Sequence, residues 1–113
     1  MTTFKSAIGV CCLSQQEAAD FLGVRLDTVK SWCVGRANPP LGIWQLLASL
    51  FEQIQDAADS ASEVMALEGI DPRSYNSIQA DIAGNELPTQ GALDAAGAIA
   101  LLQSVQDMYG DRA

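Results

Sequence analysis

Residues 13–40 read LSQQEAADFLGVRLDTVKSWCVGRANPP, and this stretch decides the fold. Ser14 followed three residues later by Glu17 is a capping box, so a helix is expected to begin at Gln15. Its apolar positions Ala18, Ala19, Phe21 and Leu22 cover one face, and Gly23 supplies the left-handed residue that stops it. A second helix is expected at about 26–34, with Val29, Trp32 and Cys33 turned inward and Gly35 ending it. Asn38-Pro39-Pro40 then forces extended backbone. Ala19 is small where the two helices must cross closely, and Val24 fills the space beneath the turn, which is the pattern of a helix-turn-helix. Leu26, Asp27, Thr28, Lys30 and Ser31 then face outward, free to enter a DNA major groove.

Outward from this stretch the pattern stays helical. Thr2 or Thr3 can cap a first helix running to about Cys12. From Leu41 to Glu68, Ile43, Leu47, Leu50, Ile54, Ala57, Ala58, Ala61, Val64 and Met65 repeat at helical spacing with acids between them. One continuous helix fits this run, and so does a pair broken between Phe51 and Gln55. Asp71-Pro72 opens a short helix with Tyr75, Ile78 and Ile82 on one side, stopped at Gly84. Thr89 caps a last helix to about Tyr109. With little period-two alternation anywhere, the fold class is all-α: an N-terminal helix-turn-helix bundle followed by a helical C-terminal dimerisation region. The expected division is 1–55 as a DNA-binding domain and 56–113 as an acidic helical region.

Composition narrows the chemistry. Of 113 residues 49% are hydrophobic, which is too apolar for a disordered chain, yet 6% aromatic, so the core must come from closely packed helices. The longest uncharged run, from Ala37 to Phe51, holds two prolines and falls short of the roughly 20 residues that span a membrane. Histidine is absent, which removes Ser-His-Asp and Cys-His catalysis. Cys11, Cys12 and Cys33 lack the spacing and number of a zinc site or a disulfide framework, and read as small apolar residues in a reducing cytoplasm. No cofactor is expected, and nothing points to an enzyme. The net charge of −8 is unevenly spread: Lys5, Arg25, Lys30 and Arg36 all lie before Leu41, whereas the remainder holds two arginines. A polyanion-facing first part and a solvated or partner-facing second part follow.

The same segment resembles the Cro/C1-type (Xre) helix-turn-helix family, most of all its phage and bacterial regulators whose recognition helix ends T-V-x-x-W-x-x-G-R-x-x-P, matched here by Thr28 through Pro39. The resemblance covers about residues 4–55. It implies a homodimer that binds double-stranded DNA at an inverted-repeat operator, in the manner of small autorepressors and antitoxins. Carried over by position, Ser14 and Gln15 meet a phosphate. Leu26, Asp27, Thr28 and Ser31 face base edges, and Lys30 and Arg36 lie by the backbone or base edges. Gln16 joins the phosphate-facing helix start on physical grounds, since helix N-termini favour anions. Arg25 serves as a phosphate or guanine contact, although it stands where the family usually has a capping serine or threonine. Cys33 stands where glutamate is common.

Near the C-terminus, Ala92, Ala96 and Ala100 with Gly97 form a small-residue stripe, and Leu93, Ile99, Leu101, Leu102 and Val105 make that helix apolar nearly all round. Such a helix must be buried. An intrachain bundle would do this, but the expectation is burial across a two-fold interface through Leu93, Ala96, Ala100, Leu101 and Val105. A competing reading makes the acidic second half the working part, holding a basic protein partner as an antitoxin or adaptor would.

Overall fold

The computed structural model describes residues 2–69 and 87–109. These form α1 (Thr3–Val10), α2 (Gln15–Leu22), α3 (Leu26–Cys33), α4 (Leu41–Glu68) and α5 (Gln90–Tyr109), with no strand among the described residues. The chain is all-α, as the periodicity predicts. The short helix expected around 71–84 lies outside the described residues.

Local chemistry sets each boundary. Thr2 caps α1 by accepting the Lys5 N–H on its hydroxyl. The chain leaves α1 two residues sooner than expected: Cys11 is the C-cap, and Cys12 takes a left-handed φ of 56°. That conformation costs a non-glycine residue about 1–2 kcal/mol. Ser14 and Glu17 complete the capping box of α2, and Gly23 ends the helix at φ 71°. Val24 N–H closes the turn onto the Ala19 carbonyl at 3.1 Å. Pro40, in extended backbone, precedes α4. The helix then runs unbroken through residues 51–55, so of the two readings of this run the continuous one holds. At 28 residues it is about 42 Å long, and it carries the chain across the expected division at residue 55.

One core runs through all five helices. Phe4 and Ile8 of α1, Ala18, Ala19 and Leu22 of α2, and Val29, Trp32 and Cys33 of α3 bury against Ile43, Leu47, Leu50 and Ile54 of α4. The far half of α4 offers Ala57, Ala58, Ala61 and Met65, and these pack along Ala92, Ala95, Ala96 and Ala100 of α5. Small side chains on both helices let the backbones approach closely, which suits a chain short of large residues. Ser62 and Ser104 meet across this seam with hydroxyls 3.3 Å apart, and Ser104 also donates toward the Met65 sulfur at 3.7 Å. The buried polar pair is thereby satisfied and fixes the register of the two helices.

This arrangement corrects the expected use of the alanine stripe. Ala96 and Ala100 are fully buried by α4 of the same chain and offer no surface to a second copy. Leu93, Leu101 and Val105 are half-buried, and Leu102 is 67% exposed, so the helix is covered on its small face rather than all round. The physical reason is that α4 supplies a matching row of alanines at the right spacing. No helix of the described residues is long and apolar enough to cross a membrane. Ala96→Leu is expected to lower stability by about 1–3 kcal/mol through overpacking, read by urea unfolding at a concentration low enough to hold the monomer. A neutral result there would show that α5 does not pack on α4.

Candidate nucleic-acid interface

The region of interest is built on α3, whose inner side is fixed before its outer side can matter. Val29 is fully buried, and Trp32 and Cys33 nearly so. Trp32 meets Phe4 edge-to-face with ring centroids 5.4 Å apart, and Phe4 meets Trp44 in the same way at 5.8 Å. This makes Trp32 an anchor of the helix, not a stacking platform. The Thr2 hydroxyl reaches the other end of α3 and donates to the Cys33 carbonyl at 2.9 Å while accepting from Lys5 N–H. One hydroxyl therefore starts α1 and finishes α3. The sequence shows Thr2 only as a cap of its own helix, because its second partner is 31 residues away.

With the inner side locked, the outer side is defined. Arg25, Asp27 and Lys30 are exposed, and Leu26, Thr28 and Ser31 are half-buried. Arg25, Asp27, Thr28, Ser31, Trp32 and Ala37 line a shallow open depression on this side. Ala37 is a member that sequence reasoning did not single out, since it follows the helix in a loop. Arg36 is exposed just beyond α3, in the turn made by Gly35 at φ 81°. Arg25, Lys30 and Arg36 make no side-chain hydrogen bond or ion pair with any described residue. Arg25 precedes α3 without capping it, so the first N–H groups of the helix have no side-chain partner there. Asp27 sits in the first turn, where its charge suits the helix dipole.

The start of α2 is arranged differently. Ser14 and Gln16 are exposed and Gln15 is half-buried. Gln16 Nε2 donates along the helix to Asp20 Oδ1 at 3.0 Å, and Ser14 Oγ accepts the Glu17 N–H at 3.0 Å, so both side chains are engaged locally. Glu17 has a role that its place in the capping box does not reveal: it also holds the start of α5, accepting the Gly91 N–H at 3.3 Å.

Apart from Glu17, Asp20 and Asp27, the acids of the described residues lie on α4 and α5. Glu52, Asp56, Asp59, Glu63 and Glu68 of α4 and Asp94 and Asp107 of α5 are exposed. Among the described residues, no group of histidine, cysteine or acidic side chains could hold a metal ion. Of the cysteines, Cys11 and Cys33 are buried and Cys12 is exposed. Burial pushes the Cys11 thiol up from its ordinary value, and the neighbouring Cys12 adds to the effect.

Compared with protein-family models, curated proteins and solved structures, the chain matches none.

Thr2→Val tests the geometry at Thr2. Losing the hydroxyl leaves the Cys33 carbonyl and the Lys5 N–H without their shared partner, at a cost of about 1–3 kcal/mol. Hydrogen exchange should rise at the N-terminal amides of α1, with a lower unfolding midpoint. Unchanged exchange there would contradict the bridge.

Proposed function

We propose that this chain is a sequence-specific DNA-binding transcriptional regulator of the cytoplasm, acting as a homodimer on an inverted-repeat operator. The observation that carries the reading is the outer side of α3, a helix pinned from behind by Val29 and Trp32: Lys30 is exposed on it, Arg25 and Arg36 are exposed just before and just after it, and Thr28 and Ser31 are half-buried along it. Each part has a task on a duplex. The cations neutralise phosphates, or in the case of arginine pair with a guanine edge, worth about 1–3 kcal/mol of discrimination. Thr28 and Ser31 offer hydroxyls to base edges, Leu26 gives apolar contact to a thymine methyl group, and Asp27 accepts from a cytosine amino group. Ser14, Gln15 and Gln16 at the start of α2 approach the backbone, where helix N–H groups favour a phosphate.

Two copies place their α3 helices about 34 Å apart, one in each of two successive major grooves. Leu93, Leu101 and Val105, half-exposed on α5, remain the candidates of this chain for the two-fold contact. Ala96 and Ala100 drop out of that set.

A second reading is favoured by α4 and α5. The exposed acids of α4 and α5 share these helices with Leu67 and Leu102, which are 80% and 67% exposed. An acidic surface with apolar side chains standing in it suits a basic protein partner, as an antitoxin or adaptor would hold.

Lys30→Ala and Arg36→Ala are each expected to weaken retardation of a selected duplex while leaving the unfolding curve in place. Log affinity of the wild type should fall with log salt at a slope near −0.9 per phosphate neutralised, and each variant should reduce the slope by roughly one unit. If both variants bind as the wild type does, the α3 edge is not the contact. If no duplex is bound while a partner co-purifies with the full chain, the second reading replaces the first.

A further inference from the structure

We propose that the junction between α5 and the start of α2 is a latch that positions the DNA-facing edge, with Glu17 and Gly91 as its positioning residues; this rests on the DNA-binding reading above. Glu17 divides its carboxylate between two helices. Oε1 accepts the Ser14 N–H at 3.3 Å, and Oε2 accepts the Gly91 N–H at 3.3 Å from 74 residues away. Thr89 Oγ1 accepts the Ala92 N–H at 2.9 Å, so the first turn of α5 is capped where it meets α2. Gly91 is buried, and a Cβ on it would strike the Cys12 carbonyl oxygen and lie 2.8 Å from that carbonyl's carbon and 2.9 Å from Glu17 Oε1. Only glycine lets α5 come this close.

The placement gives the contact a consequence. Ser14 and Gln15, which approach a phosphate in the DNA reading, occupy the same helix start as Glu17. A carboxylate there opposes a phosphate, and opposes it less when N–H groups on both its oxygens share its charge. With α5 docked, the Gly91 N–H holds one oxygen on the α5 side. With α5 released, that partner is gone, and the carboxylate keeps only the Ser14 N–H, at the helix start where its charge faces the phosphate. Docking of α5 and DNA binding therefore favour each other, and by linkage DNA must stiffen the α5 junction as much as the junction aids DNA. A partner that draws α5 away from α4 would loosen the DNA.

The test uses the full chain as wild type, Gly91→Ala, Glu17→Gln and the double variant. Each is titrated at fixed salt against a pool of random-sequence duplexes of about 30 bp, long enough for two half-sites one turn apart. Hydrogen exchange is followed at residues 91–95 and at Leu47, Leu50 and Ile54. Gly91→Ala should speed exchange at 91–95, leave the three α4 amides protected, and weaken binding about 5–10-fold, at the low end of coupling between sites. Glu17→Gln keeps the reach without the charge, and in the Gly91→Ala background it should restore binding to within about twofold of the wild type, which removal of a purely structural contact would not do. Thr89→Ala opens the same turn without adding an atom and should give the same order on a smaller scale; it decides the matter if Gly91→Ala unfolds the chain. Faster exchange at 91–95 with unchanged binding, or no rescue by Glu17→Gln, overturns the latch. A wild type that binds no duplex overturns the DNA reading itself, a result visible before any variant is compared.

Discussion

Burial along α4 is the constraint on which everything else depends. Leu50 and Ile54 are fully buried at the middle of this helix, between the N-terminal helices and the α5 seam. A chain with 6% aromatic residues cannot fill a core with bulk, so it brings helices close instead. The first half of α4 presents branched side chains to Phe4, Leu22, Val29 and Trp32. The second half presents alanines to the alanines of α5. One continuous helix thus joins the two parts, and neither could keep its core without it.

From that burial follows a separation of charge between α3 and the outer faces of α4 and α5. The inward residues of α3 are committed to the core, which leaves its cations outward and without described partners. The acids of α4 and α5 point to solvent along their own helices. A protein of net charge −8 can approach a polyanion only through a face where its own acids are few, and the α3 edge is such a face. Asp27 is the exception on it, and in the DNA reading it selects a base rather than adding affinity.

Much of this was legible in the sequence because it is local. The capping box at Ser14 and Glu17, the left-handed Gly23, the inward Val29 and Trp32 and the Thr89 cap each depend on neighbours within a few residues, and each stands where spacing put it. What could not be read was long-range. Periodicity shows that Ala96 and Ala100 need a close partner but not whether α4 or another chain provides it, and here α4 does. Thr2 serves a second helix by donating with the same hydroxyl that caps its own, and Glu17 does so through the carboxylate oxygen that its capping role leaves unused. The left-handed Cys12 has no sequence signal either, since cysteine is an unusual choice there. Continuity of α4 through residues 51–55 was an even choice from pattern alone.

The most direct measurement is an amide nitrogen–proton NMR spectrum of the full chain, recorded before and after addition of a duplex selected from a random pool. The account predicts that the largest shift changes fall on Arg25, the outward residues of α3 and Arg36, with smaller ones at the start of α2. Changes confined to the acidic surface of α4 and α5, or no change at saturating duplex, would contradict it.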